Sequence, residues 1–465
     1  MSASFFFAHF RPLEFTLQRV RPAMSSASLL TRQFRSCRRP GAAVSCGWLV
    51  ALSVLAALPA PAQEALRNSL TGEAAAAARK IQVESLPYTI KSGDFKLLVT
   101  PSLGLDWNDN INIVKTNALQ DFILKPRVQL DLSYPMTENN LLSLSVGVGY
   151  DKYLDHDQYS TWYLQSGTEL SFDIYVKDFW INLHDRVSYV QDTSQQPTLS
   201  GTASYATLDN TAGLSVTWDL NKATVSAGYD HRMIVSPTAQ QYESEDGATE
   251  MLFARAGLEV YPNVTAGIEG TAAFTRYDQM VLNDNNNYSL GVYADWQPGK
   301  AFRVQPRFGY TIFNFQNTSQ SSFVQTNQPV QTSDLNSWYA DLNIIHQITD
   351  AIGYTLDAGH EVQTGIQSDL VSDWYVRPSI RWNIIKNVSL NTSLSYEHGK
   401  QGAGNVANNL VENFDWLGAS VGVSYSILKK LSASLNYRLT LRSSDIASKE
   451  YTQNVIGLSL TYYTR

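Results

Sequence analysis

A serine framed by glycines at Gly418-Ala419-Ser420-Val421-Gly422 has the spacing that a nucleophile elbow uses to expose its serine for acyl transfer. Such an elbow needs a strand, a sharp turn and a helix, whereas these five residues lie inside one continuous alternating run, so the match is read as coincidence. Gly402 and Gly404 give G-x-G without a third glycine or a following helix, which leaves no phosphate cradle. His156, His184, His231, His346, His360 and His398 are scattered without ligand spacing, and most are expected in loops or at an interface. Asp284 among Asn283, Asn285, Asn286 and Asn287 offers oxygens to calcium, but the spacing fits no calcium loop and a polar loop is the simpler reading. No catalytic residue, metal ligand set or cofactor is assigned, and no enzyme is expected.

What chemistry remains is electrostatic. By two-residue alternation Lys125, Arg127, Arg303, Arg307, Arg377, Arg381, Arg438 and Arg442 share one face with Asp131, Glu169, Asp173, Asp341, Asp357 and Glu361. Charged side chains ringing the inside of a tube sort solutes by sign. Cross-strand ion pairs that hold the wall together are the other use for any one of them. Either role requires a sheet that closes on itself.

The pattern for such a sheet starts at Phe95. Phe95, Leu97, Val99, Pro101, Leu103, Leu105 and Trp107 alternate with Lys96, Leu98, Thr100, Ser102, Gly104 and Asp106, and Phe122 to Tyr134 repeats the pattern. About eighteen such units of ~10 residues continue to the last residue. They begin near Phe95, Phe122, Leu142, Trp162, Phe179, Asn210, Ala223, Leu252, Val264, Tyr288, Phe302, Trp338, Tyr354, Trp374, Val388, Asp415, Leu431 and Val455. Short connections such as Tyr175 to Asp178, Asp219 to Lys222 and Tyr261 to Asn263 alternate with long polar ones such as Gln191 to Tyr205, Ile234 to Glu250, Asn314 to Ser337 and Gly399 to Asn413. This rhythm predicts an all-β fold: a closed antiparallel transmembrane barrel with short periplasmic turns and long extracellular loops. Trp107, Trp162, Trp218, Trp296, Trp338, Trp374 and Trp382 fall in the apolar set, where two lipid-interface girdles would stand. Trp218, Trp296 and Trp382 precede short turns, and the other four flank long loops.

Composition agrees. Only 17% of the residues are charged, and 25 Tyr, 18 Phe and 10 Trp favour strands. Beyond residue 62 no stretch is apolar for the ~20 residues that a spanning helix needs, so a membrane would have to be crossed by strands. Residues 1–62 read as a secretory signal: Arg32, Arg35, Arg38 and Arg39 precede an apolar run from Ala42 to Leu58, and Ala60-Pro61-Ala62 fits the cleavage site. Met24 is an alternative start, and the flanks of Arg38-Arg39 do not extend a twin-arginine motif. Both cysteines, Cys37 and Cys46, leave with the signal, which excludes disulfides and thiol chemistry. That segment also removes seven Arg and one Glu from 35 Lys+Arg and 42 Asp+Glu, leaving a chain near −13 with no footprint for nucleic acid. Residues 63–94 are expected to form an N-terminal periplasmic segment with a short helix around the alanines Ala74 to Ala78, which either lies in the periplasm or packs into the barrel mouth, and 95–465 the barrel.

Gly104-Leu105-Asp106-Trp107-Asn108-Asp109-Asn110-Ile111, where the first strand meets its loop, resembles the putative outer-membrane β-barrel porin family, as does Tyr150-Asp151-Lys152-Tyr153 at the end of the third. The resemblance spans roughly residues 95–465 and implies a barrel in the outer membrane of a Gram-negative cell. Some members of that family lie near exopolysaccharide genes. Ile456, Leu458, Leu460 and Tyr462 alternate toward the C-terminus like an assembly signal, although Thr464 and Arg465 stand where an aromatic residue usually ends it. Expected partners are outer-membrane lipid and lipopolysaccharide, the barrel-assembly machinery and further copies in a homo-oligomer. The expected function is a porin-like channel for passive diffusion of small hydrophilic solutes through a charged lumen, with loop Asn314 to Ser337 the foremost candidate to fold inward. The alternative is a barrel component of exopolysaccharide export or of a cell-surface structure, without open-channel activity.

Overall fold

The computed structural model describes residues 87–464 apart from 192, 194–195, 238–244, 280–281, 317–333, 367 and 403–410. Its strands, in chain order, are β1 (Ile90–Ser92), β2 (Phe95–Asn108), β3 (Asp121–Thr137), β4 (Asn140–Tyr153), β5 (Thr161–Val176), β6 (Phe179–Val190) and β7 (Thr207–Asp219). There follow β8 (Ala223–Val235), β9 (Gly247–Tyr261), β10 (Val264–Tyr277), β11 (Asn285–Gly299), β12 (Phe302–Phe315) and β13 (Leu335–Gln347). The last are β14 (Ile352–Gln363), β15 (Val371–Ile385), β16 (Val388–Gln401), β17 (Glu412–Leu428), β18 (Leu431–Ser444) and β19 (Tyr451–Tyr462). Each of the eighteen expected units lies in a strand of its own, β2 to β19. The signal at residues 1–62 and the helix near Ala76 lie outside the described residues.

Every strand pairs antiparallel with the next, and β19 pairs with β2 through Ile456↔Trp107, Leu458↔Leu105 and Leu460↔Leu103, so eighteen strands close into a barrel. Closure leaves no sheet edge to satisfy in lipid. Strand β1 lies outside that count: three residues fold back on the start of β2 through Gly93 at φ +58°. The even number sets both ends of the barrel on the side of the short turns, which is the periplasmic side. Those turns bring Lys177, Asn221 and Asn263 into the left-handed region at φ +53°, +73° and +68°. Asn accepts that geometry more readily than other residues with a side chain, and the Asn221 N–H donates to Asp219 Oδ1 at 2.8 Å, closing a local Asx turn.

Alternation decides the two faces. Leu290 is 69% exposed and Ile268 58%, yet Glu269 between Ile268 and Gly270 is 1% exposed. The exposed apolar set faces lipid and the other face lines the interior. Inside, the buried apolar clusters gather at the long-loop end: Ile113, Leu199, Tyr205 and Tyr451 form one, Phe313, Phe315, Val362 and Leu370 another. The midsection is polar. The core of this protein is therefore at its extracellular mouth, where loops pack on the tops of strands.

Candidate functional site: the lumen and its mouth

The inner wall is built from aromatic rings laid over glycines. Tyr339 covers Gly291 and Gly309, Tyr293 covers Gly257 and Gly267, Tyr375 covers Gly359, Tyr163 covers Gly149, and Phe253 covers Gly228. At each glycine an added Cβ would enter the ring. A glycine weakens a strand by leaving a gap, and the neighbouring ring fills it, the tyrosines among these rings turning their hydroxyls toward charged groups. Tyr339 donates to Glu269 Oε1 at 3.2 Å, and Arg307 Nε donates to the same oxygen at 2.9 Å. Tyr375 donates to Asp341 Oδ2 at 2.7 Å, and Arg255 stacks on Tyr293 with Cζ 3.5 Å from the ring centroid.

The expected inward residues fall into this mesh. Lys125 pairs with Asp106 at 2.8 Å, and Arg127 Nε donates to Tyr163 Oη at 3.1 Å. Asp131 accepts from Gln129 and Ser145, and Glu169 lies 3.6 Å from Arg186. Arg303 Nε donates to Asp295 at 2.9 Å. Arg377 reaches Glu397 at 2.8 Å and Asp357 at 3.9 Å, and Asp173 accepts from Trp180 and Asn182. Glu361 stands buried near the top of β14, and Arg438 lies halfway along β18. Arg442, 3% exposed, bonds Glu412 at 2.7 Å. Arg381 stands apart from all of these: among the described residues it is the inward cation with no ion pair, hydrogen bond or ring contact.

Among the described residues one loop crosses the mouth. The β6–β7 loop, residues 191–206, carries Leu199 fully buried against Ile113, Tyr205 and Tyr451. Its far attachments are Arg442 Nε to Pro197 O at 2.8 Å and Gln401 Nε2 to Thr198 O at 2.9 Å, with Gly201 N donating to Ile113 O at 2.9 Å. Five strands separate β6 from β18 along the shorter arc of the wall, so these bonds span the lumen. Toward the β8–β9 loop, Tyr205 donates to Glu245 Oε2 at 2.6 Å. Burial raises the Glu245 carboxyl to about 8 against the lowering effect of that hydrogen bond, and burial likewise holds the Tyr205 phenol well above its ordinary value. The loop expected to fold inward, Asn314 to Ser337, has residues 317–333 outside the described residues.

The opposite side of the interior is smooth. Near the short turns the inward positions of β14 to β19 carry Thr355, Ser379, Ser393, Ser420, Ser434 and Ser459, joined in hydroxyl pairs at 2.6–2.7 Å. Asn391, Ser393 and Asn436 are exposed although they face the interior. On β5 to β10 the inward residues Asp173 (0%), Asn182 (2%) and Glu269 (1%) are buried.

On the outer face Trp162, Trp218, Trp296, Trp338, Trp374 and Trp382 are 37–66% exposed, and Trp107 is partly buried beside Phe122 and Ile456. Trp180 and Trp416 point inward. Four histidines are outward: His360 lies between Trp338 and Trp374, His346 between Phe302 and Tyr354, His231 beside Glu250 and His398 beside Asp415. His156 is bound to Asp121 in a loop, and His184 is buried inside against Asp230 at 3.1 Å. Asp284 caps the Tyr277 N–H at 2.9 Å, and the G-x-S-x-G run is internal to β17. Among the described residues no group of His, Cys, Asp and Glu is arranged to hold a metal ion.

A closed eighteen-stranded antiparallel barrel with a lipid-facing apolar band and a polar interior is an outer-membrane β-barrel. The chain belongs to the family described as "Putative beta-barrel porin 2", which matches residues 87–463. Solved structures similar to it include OccK2 (OpdF) of Pseudomonas aeruginosa, at 10% identity over 80% of this chain and 98% of that one with a TM-score of 0.44. OpdK of Pseudomonas aeruginosa with vanillate has 10% identity over 79% and 98%, TM-score 0.42. OmpT, an outer membrane protein of Vibrio cholerae, has 10% identity over 80% and 99%, TM-score 0.37. No curated protein matches the chain in sequence.

Proposed function

We propose that the barrel lets small hydrophilic solutes diffuse passively across the outer membrane, along an off-centre passage beside β15 to β19. The observation that carries this reading is the exposure of the inward residues Asn391, Ser393 and Asn436, which marks free space beside a wall of short hydroxyl and amide side chains. Such a wall replaces the hydration of a polar solute without holding it tightly, as conduction requires. The charged side chains of the interior act in two ways on this reading: paired ones stiffen the wall, and an unpaired one acts on the solute. The exposed tryptophans form the lipid-interface girdles. The test is swelling of proteoliposomes in uncharged sugars of graded size. Rates that fall with solute size support diffusion, and rates equal to empty liposomes with a folded barrel oppose it.

A second reading has its own observation. The β6–β7 loop is tied across the mouth by three backbone carbonyls, Pro197, Thr198 and Ile113. A barrel held shut there would open only with a partner, as a component of polysaccharide export or of a cell-surface structure. Swelling that appears only after this loop is shortened would favour that role.

A further inference from the structure

We infer that Arg381 sets the charge preference of the passage, drawing small anions along the side of the lumen formed by β14 to β19. The inference rests on the diffusion reading and adds to it a sign and a residue. Arg381 is inward because its neighbours Ile380 (48%) and Trp382 (41%) are exposed on the lipid side. Its lateral partners in the sheet are Gly353 on β14 and Asn391 on β16, one without a side chain and the other an exposed amide. One step further along the strands stand Thr355, Ser379, Asn383 and Ser393, none of them acidic. The nearest acid in register on β14 is Asp357, opposite Arg377, which is itself bonded to Glu397.

Most of the other inward arginines have a carboxylate partner, while Arg127 and Arg255 are engaged by Tyr163 and Tyr293. Arg303, Arg307 and Arg442 pair with Asp295, Glu269 and Glu412, and Arg232 with Asp209 at 2.6 Å. A paired guanidinium presents little field to a passing ion, because its carboxylate cancels it within a few ångströms. Arg381 keeps its whole charge and its donors, and it is partly exposed on the side where the inward amides are exposed. A planar guanidinium matches an oxyanion in two-point fashion, and the adjacent hydroxyls and amides supply further hydrogen bonds without adding negative charge. Arginine also stays protonated across the physiological range, so the preference should not depend on pH between 5 and 9.

The magnitude follows from Coulomb's law. A unit charge ~5 Å from a passing ion in water, screened at 0.1 M salt, changes that ion's local concentration about two- to four-fold. The experiment is reversal potential in planar bilayers with a potassium chloride gradient, and again with gluconate replacing chloride. Arg381→Gln is expected to lower the anion-to-cation permeability ratio at least about two-fold, and Arg381→Glu to lower it further. The outward Lys400→Gln should leave it unchanged. Residues 63–465 contain no cysteine, so Arg381→Cys provides a single thiol. A cationic methanethiosulfonate reagent should restore the anion preference of that variant, and an anionic one should reverse it. Conducting channels whose ratio is the same in wild type, Arg381→Gln and Arg381→Glu, or a thiol that neither reagent reaches, would overturn the assignment and leave diffusion standing. A wild-type barrel that carries no current would overturn both.

Discussion

Replacing Gly309 by alanine should push a methyl group into the ring of Tyr339, and the cost can be worked out from the wall. The new Cβ would lie inside contact distance of Cε1, Cζ and Oη of that ring. Tyr339 is 5% exposed and has no room to retreat without giving up its bond to Glu269, which is 1% exposed and then held by Arg307 alone. Overpacking costs about 1–3 kcal/mol. Losing a hydrogen bond to a buried charge costs about 1.5–3 kcal/mol. Alanine recovers roughly 0.5–1 kcal/mol over glycine in a strand, leaving a net loss of about 2–5 kcal/mol. The assay is urea unfolding of the refolded barrel in phospholipid vesicles, followed by tryptophan fluorescence, for Gly309→Ala, Tyr339→Ala and the double variant. In the Tyr339→Ala background the methyl group meets no ring, so Gly309→Ala should be neutral or slightly stabilising. A cost that is the same in both backgrounds within ~0.5 kcal/mol would refute the ring-over-glycine account.

Three further outcomes follow from other parts of the molecule. Arg442→Ala removes the donor to Pro197 O and one partner of buried Glu412, so the barrel should lose about 3 kcal/mol, and chymotrypsin should cut near Leu199 or Tyr205 where the wild type resists. Glu245 has a folded value of about 8 against 4.5 for the free side chain. Its contribution is complete below pH ~4.5 and lost as pH rises through ~8, so hydrogen-exchange protection factors around Tyr205, corrected for the intrinsic base-catalysed rate, should fall from pH 6 to 9 and stay constant in Glu245→Gln. Val292→Arg places a charge on the lipid face at a residue 54% exposed, and unfolding in vesicles should show a loss of about 2–4 kcal/mol, whereas Ser393→Arg, facing the interior, should lose much less.

The barrel was legible because its determinant is local. A period of two along each strand assigns every side chain to a face, and the tight turns at Lys177, Asn221 and Asn263 announce themselves by type and spacing. Lumen-facing Arg303, Arg307 and Arg377 could be named for the same reason. What could not be read was anything that depends on the register between strands. Tyr339 sits over Gly309 because these two are directly opposed across β12 and β13, a relation that single-strand periodicity does not encode. Nor could pairing be told from exposure: Arg377 and Arg381 are four residues apart on one face, yet among the described residues one is clamped by Glu397 and the other has no partner. Among the described residues the strap across the mouth belongs to the β6–β7 loop, whose signal is the apolar Leu199 set among polar residues, while residues 317–333 of the loop expected to fold inward lie outside the described residues. The short β1 carries too few residues for periodicity to mark it.

The most direct measurement of the central claim is single-channel conductance of refolded residues 63–465 in a planar bilayer, with folding established beforehand by heat-modifiable migration. Stable, discrete current steps that scale with salt concentration are required of a solute-conducting barrel. A folded, heat-modifiable barrel that stays silent in the bilayer would contradict diffusion and leave the partner-dependent role.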